Sequence, residues 1–213
     1  SVDGVSDDRT QGFGVRAVVN GAWGFASSSR LEPNEVDRVS ALAVEIARAS
    51  ALAPRHPVNL GAFVKTLGVY HTPVHREPFS VSLDEKLDLL MAADAAMRRV
   101  PGVAIAESSL DCLRIEKVFA STEGSYVEQT LVETGGGIEA TAVNEHDLQK
   151  RSYPNSFGRQ QGTMGFEMIE AMDLPGNGER IASEAVQLLT AAPCPEGRMT
   201  IILDATQTAL QVH

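Results

Sequence analysis

Apolar and polar residues alternate along residues 12–28 (GFGVRAVVNGAWGFASS). Val15, Ala17 and Val19 alternate with Arg16 and Val18, and Trp23 and Phe25 resume the pattern beyond Asn20-Gly21. An Asn-Gly pair between two such runs is the signature of a two-residue hairpin turn, so a β-hairpin is predicted here. The period then changes to that of a helix. Val36, Val39, Leu42, Ala43, Ile46 and Ala47 recur on one face, Pro33 suits the first turn, and Pro54 and Pro57 are expected to end the helix.

Residues 68–80 (GVYHTPVHREPFS) lose all periodicity and are punctuated by proline, which predicts an extended linker or a strap across a surface. Ser82 followed three positions later by Glu85 forms a capping box, and Leu83, Leu87, Leu90, Met91 and Met97 supply the buried stripe of the helix after it. Pro101-Gly102 stops that helix. Residues 103–144 read as a four-stranded meander, VAIAESSL, CLRIEKVFAS, YVEQTLVE and IEATAVNE, with Glu123-Gly124 and Gly135-Gly136-Gly137 as turns. A glycine-rich stretch over 151–165 leads to FEMIEAM, then to an amphipathic helix over 179–192 built on Ile181, Ala185, Val186, Leu188 and Leu189. Residues 199–203 (MTIIL) read as a buried strand, and a further helix starts at Thr206. Strands in runs with helices grouped between them predict an α+β fold, β-hairpin and meander sheets with amphipathic helices packed on them. The expected organisation is an N-terminal region over 1–78, a central region over 79–194, and the start of a further domain over 195–213.

The chain has 213 residues, 43% of them apolar, which suffices for a buried core and argues against disorder. No run reaches the roughly 18 apolar residues of a membrane helix. Its 28 acidic and 18 basic residues give a net charge of −10, a field that repels phosphate backbones, so no nucleic-acid partner is expected. Cys112 and Cys194 lie far apart and suggest no disulfide framework, in keeping with a reducing compartment.

Little in the chain has the spacing of a catalytic motif. Gly12-Phe13-Gly14 and Gly135-Gly136-Gly137 lack the lysine and hydroxyl residue of a phosphate loop and read as turns. His71 and His75 flank Pro73, which prevents the helix that would bring both to one metal. His56 and His146 stand in polar settings, and neither cysteine has a histidine or cysteine at ligand spacing. Asp84, Glu85, Asp88 and Asp94 read as the solvated face of a helix rather than a catalytic pair.

Four stretches nevertheless resemble the TldD/PmbA family, zinc metallopeptidases historically called modulators of DNA gyrase. They are the hairpin at 12–28, the strap and capped helix YHTPVHREPFSVSLDEKLDLL at 70–90, FASTEG at 119–124, and APCPEGRMTIILDATQTALQVH at 192–213. The resemblance implies that the last helix continues as His-Glu-x-x-x-His. His213 then aligns with the first histidine and is expected to be a zinc ligand. The general-base glutamate, the second histidine and a cysteine ligand are expected beyond this sequence, and the family's opening helix and strand ahead of it. No catalytic residue is therefore expected within the chain.

Zinc in such a site lowers the pKa of bound water towards about 7 while the carboxylate takes the proton. The extra residue between the histidines turns the second ligand by about 140° on an ideal helix, so a π-like widening is expected just past His213. One imidazole is too few donors, so the chain alone is expected to bind zinc weakly and to hydrolyse nothing. Within the complete protein it is expected to wall the chamber that receives an extended peptide, with the glycines at 158–165 allowing close backbone approach. By resemblance the protein works in the cytoplasm as a homodimer or as a heterodimer with a paralogue, and hydrolyses small or unfolded peptides. The alternative is a non-catalytic partner or peptide-binding subunit of the same fold.

Overall fold

Strand alternation and helix periodicity at the beginning of the chain produce a small hairpin-plus-helix unit. In the computed structural model, which describes residues 1–53 and 56–213, β1 (Phe13–Val19) and β2 (Ala22–Ser28) pair antiparallel from Phe13↔Ser28 to Val19↔Ala22. Asn20 and Gly21 turn between them with φ of 49° and 75°, the left-handed pair that a type I′ turn requires. The inner face of the hairpin covers α1 (Pro33–Ser50), whose Val39, Ala43 and Ala47 are completely buried. Only half of the expected stripe is used: Val36, Leu42 and Ile46 stay exposed, because a two-stranded sheet is too narrow to cover the whole apolar face. Pro54 lies outside the described residues. This unit comprises Ser1–Val64, and a second comprises Lys65–His213.

The second unit is built on one long strand. β3 (Leu67–His71), β4 (Val103–Ala120) and β5 (Tyr126–Val143) lie in the order β3-β5-β4, with β3 parallel and β4 antiparallel to β5. On the β3 side of β5, β6 (Leu148–Tyr153) and β7 (Gln160–Gly162) complete the sheet antiparallel to its C-terminal half. The helices are α2 (Leu83–Arg98), α3 (Glu167–Met172), α4 (Leu174–Leu188) and α5 (Ala205–Val212). The core lies where α2, α3 and α4 meet the sheet, around Met97, Ile138, Ala140, Phe166, Ile169, Leu174 and Ile181. The α+β class is as expected, with one parallel strand pair added.

Several elements differ from the sequence reading. The four-stranded meander is two strands of 18 residues each, and Gly135-Gly136-Gly137 lies inside β5. These glycines are there for packing. A Cβ on Gly137 would collide with the Gly158 carbonyl and Arg159 Cα, and one on Gly136 would stand 2.9 Å from the Ser109 carbonyl and 3.2 Å from Ile169. The capping box is half formed: Ser82 Oγ accepts from the Glu85 N–H, but the Glu85 carboxylate turns to Arg76. Along α2 the buried positions are Ala93, Ala96 and Met97, the two alanines small enough to let α4 approach at Gly178, whereas Leu83 and Met91 are exposed. The helix expected over 179–192 begins at Leu174 instead, straight after α3. Residues 199–203 are no strand; Ile201 and Ile202 are exposed, and no described strand lies alongside to receive their main-chain groups.

Replacing Gly137 with alanine should destabilise the second unit by about 1–3 kcal/mol, since the intruding methyl meets backbone rather than a movable side chain. Urea denaturation of the variant against wild type measures this, and an unchanged midpoint would show that the 158–159 crossing yields freely.

Candidate functional site

The residue carrying the metal expectation sits at the end of the last helix. Asp204 caps α5, its Oδ1 accepting from the Gln207 N–H at 2.9 Å and from the Thr206 hydroxyl at 2.7 Å. These bonds, that from the Gln207 backbone foremost, hold the Asp204 carboxyl below its usual range. The Gln207 amide donates to Ser156 Oγ at 2.8 Å, tying the first turn of α5 to the loop after β6. His213 closes the helix, its N–H donating to the Ala209 carbonyl at 3.0 Å, and its side chain is exposed.

Below the N-terminal turn of α5 lies a cleft of about 440 Å³. Its wall includes Arg151, Tyr153, Asn155, Arg180, Asp204 and Gln207, but not His213. Arg151 and Arg180 share the Glu184 carboxylate, each at 2.8 Å. Burial raises the Glu184 pKa, but the two guanidiniums outweigh it and leave the carboxyl below its usual range. Arg180 also stacks 5.4 Å over the Tyr153 ring.

No three histidine, cysteine, aspartate or glutamate side chains among the described residues stand close enough to hold a metal ion. The described residues therefore do not by themselves make a metal site around His213. His71 and His75 are exposed, with Pro73 between them in extended chain. The His75 contribution is its backbone N–H, given to Glu167. His56 and His146 are exposed, as is Cys194. Cys112 is half-buried, and desolvation pushes its thiol up, away from the reactive thiolate. Of the glycines at 158–165, Gly165 lies against the strap, where a Cβ would meet Val74 and the Arg76 carbonyl, while Gly158 has nothing nearer than Glu139 at 3.8 Å; the approach of 158–161 to β5 is allowed by Gly135 and Gly137 of β5 itself.

What sequence reading missed is the cluster that fixes the strap. The Glu167 carboxylate, at the start of α3, accepts backbone N–H groups from His75 at 3.2 Å, Arg76 at 2.9 Å and Gly165 at 3.0 Å. The Arg76 side chain reaches Glu85 and Glu170 and lies 5.1 Å over the Phe166 ring, while its carbonyl accepts from the Phe166 N–H at 2.8 Å. Further along, Arg114 of β4 pairs with Glu77 at 2.8 Å and stacks 4.7 Å over Phe79. Burial pushes the Glu167 pKa up, but the donors from Arg76, its own backbone, Gly165 and His75 prevail and bring it to about 2. A glutamate opening a short helix was the one available signal.

Residues 76–192 match the PmbA/TldA metallopeptidase central domain, and residues 1–51 match PmbA/TldA metallopeptidase domain 1. The chain belongs to the PmbA/TldA metallopeptidase family. Among its relatives, a protein of Methanothermobacter thermautotrophicus named metalloprotease is 29% identical over 211 residues, covering 98% of this chain and 43% of that protein. Another so named, from Methanocaldococcus jannaschii, is 24% identical over 218 residues, covering 99% of this chain and 46% of its own length. The chain therefore spans less than half the length of these curated relatives. The fold resembles the crystal structure described as a modulator of a DNA gyrase from Thermotoga maritima, with a TM-score of 0.64 at 18% identity, over 87% of this chain and 39% of that one. It also resembles TldE from Thermococcus kodakarensis, with a TM-score of 0.50 at 13% identity, over 80% and 36% respectively.

The strap cluster of this PmbA/TldA chain ties the first residues of the matched central domain to residues 165–170 of the same domain, and its charge state has a measurable consequence. The Glu167 pKa is depressed from 4.5 to about 2 on folding, so its stabilisation is complete above pH 4.5 and is lost as pH falls towards 2. Glu167→Gln should cost about 1–3 kcal/mol at neutral pH, because three backbone donors lose a charged acceptor. The variant should also lack this component of the acid transition. Denaturation midpoints of both proteins from pH 7 down to 2 check it; parallel curves would remove Glu167 as the anchor.

Proposed function

We propose that this chain is the N-terminal and central part of a zinc-dependent peptidase acting on small or unfolded peptides, with His213 as one ligand of its metal. The observation that carries the reading is the placement of His213. A helix capped at Asp204 presents the imidazole exposed at its last turn, shortly after the matched central domain. The remaining donors and the general-base glutamate belong, on this reading, to residues outside the given sequence, and the chain by itself hydrolyses nothing. Relatives of more than twice its length named metalloprotease support a peptidase role at the level of the whole protein.

The chain's own part is then to position α5 and to supply walls for an extended peptide. We further propose a cytoplasmic protein that works as a homodimer or with a paralogous partner. None of the described helices is long and apolar enough to cross a membrane. Nucleic acid is not among the proposed partners. The net charge of −10 opposes it, and several basic side chains, among them Arg76, Arg98, Arg151 and Arg180, already face carboxylates.

Metal analysis of the longest polypeptide that carries this sequence tests the assignment. His213→Ala should weaken zinc binding by at least about tenfold, as expected for a lost ligand, and abolish peptide hydrolysis. Undiminished metal content in the variant would remove His213 from the site. The 213-residue chain alone should take up zinc only weakly.

A further inference from the structure

Asparagine precedes glycine at two places, Asn20-Gly21 in the hairpin turn and Asn177-Gly178 in α4. Glycine leaves the backbone nitrogen after an asparagine less obstructed than any other residue does. The structure treats the two pairs in opposite ways. The Asn177 amide is fully engaged: Nδ2 donates to the Met172 and Asp173 carbonyls at 3.2 and 3.0 Å, and Oδ1 accepts from Arg180 at 2.8 Å. Gly178 is buried inside α4, where its N–H is spent in the helix ladder.

Asn20 is exposed, and its side chain makes no hydrogen bond with any described residue. It differs in this from the other asparagines. Oδ1 of Asn34, Asn59 and Asn144 accepts a backbone N–H at 2.9, 2.8 and 2.8 Å respectively, and Asn155 is bonded at both ends of its amide. The Gly21 N–H is also unspent among the described residues. The β1–β2 ladder begins at Val19↔Ala22, and Gly21 uses only its carbonyl, which accepts from the Val58 N–H at 2.8 Å. That bond fixes the peptide after Gly21 and leaves unheld the peptide before it, which carries the nitrogen.

We propose that Asn20 is a self-modification site, converting to aspartate and isoaspartate ahead of every other asparagine in the chain. The Gly21 nitrogen gives its proton to hydroxide and attacks Asn20 Cγ, closing a five-membered ring. The Cγ–Nδ2 bond breaks, and Nδ2 takes a proton from water and leaves as ammonia. Water then adds to one of the two ring carbonyls and breaks its bond to the ring nitrogen. Opening at Cγ gives aspartate; opening at the main-chain carbon gives isoaspartate, with the chain running through Cβ and Cγ. The rotations that closure needs, about the Asn20 side chain and its ψ, are confined to the turn. Aspartate tolerates the left-handed conformation as asparagine does. Isoaspartate adds a backbone carbon between Val19 and Ala22, so the two-residue turn no longer matches the strands it joins. The hairpin covers Val39 and Ala43 of α1, and the damage therefore reaches the core of the first unit. The proposal does not depend on the peptidase reading, because its readout is the chemistry of one side chain.

Incubation of the folded 213-residue chain in mildly alkaline buffer, followed by digestion and mass spectrometry, tests it. The peptide containing Asn20 should gain the mass of an amide-to-acid conversion and separate into aspartate and isoaspartate forms. Asn177 should convert at least about tenfold more slowly, because three side-chain bonds and a helix bond must break first. In urea, where those bonds are gone, the two pairs should react at similar rates. Asn20→Gly keeps a residue suited to the left-handed turn and should remove the early acidic product. Trp23, the one tryptophan, lies in β2 and reports on the hairpin. Its fluorescence should show the isoaspartate fraction unfolding at lower urea than the Asn20→Asp variant. Conversion of Asn20 no faster than that of Asn177 in the folded chain would overturn the proposal. So would an acidic product that persists in Asn20→Gly, or an isoaspartate fraction as stable as Asn20→Asp.

Discussion

Main-chain pairing along β5 is the constraint on which the larger unit depends. One strand of 18 residues is bonded to β4 on one side, and on the other to β3 and then to β6 and β7. Every buried N–H and C=O needs a partner, and β5 runs through the most buried part of this unit, so neighbours on both sides are obligatory. Its centre is stripped of side chains at Gly135-Gly136-Gly137. The 158–161 segment comes against one part of this stretch, and Ile169 and Leu174 against Gly136. Side chains there would leave room for neither, and the helical layer would lose its seat.

The strap faces the opposite difficulty. Pro73 and Pro78 have no N–H to offer a sheet, and residues 72–80 cross the unit without a ladder of their own. Its backbone is held by other means: Thr72 Oγ1 accepts from the Val132 N–H at 3.0 Å, and Glu167 takes those of His75 and Arg76. Bonds from backbone donors to an ionised carboxylate exceed neutral ones in strength, whereas exposed ion pairs such as Arg114–Glu77 contribute about 1 kcal/mol or less. Glu167 is accordingly the stronger fastener, and the arginines around it mainly order side chains and cover the Phe166 and Phe79 rings.

What the sequence disclosed follows from how local each signal is. The hairpin at 12–28, the Ser82 cap and the helix ending at the chain terminus are specified by residues within a few positions of one another, and all three are present. The glycine triplet misled because a turn and a close approach both demand the absence of Cβ, and only the tertiary neighbour at Gly158 distinguishes them. MTIIL misled in a related way: apolar β-branched residues suit a strand, but a strand also needs an adjacent edge, and none of the described ones reaches it. Helix stripes were half legible, since Leu83 and Met91 fit the period while the alanines of α2 make the close contacts.

The candidate site was the least legible of all, for a reason that also explains why resemblance outran geometry there. A metal site is a set of donors brought together by folding, and its members need not be near one another in sequence. Within this chain the set has one nominated member, and an exposed imidazole at a helix terminus has the same local appearance whether or not other donors join it. Periodicity could predict α5, and the Asp204 cap fixes where it starts, but neither property bears on what His213 binds. Only the order of the resembling stretches along the chain gave that histidine a role. The strap cluster shows the converse: Glu167, Arg76 and Glu85 form a well-defined electrostatic group in which the Glu167 carboxyl is held well below its usual range, and it serves the fold. Perturbed titration marks constraint, and the identity of the partners decides whether that constraint is chemical or structural. Here the partners of Glu167 are backbone donors already satisfied by it, which leaves no open position for a substrate.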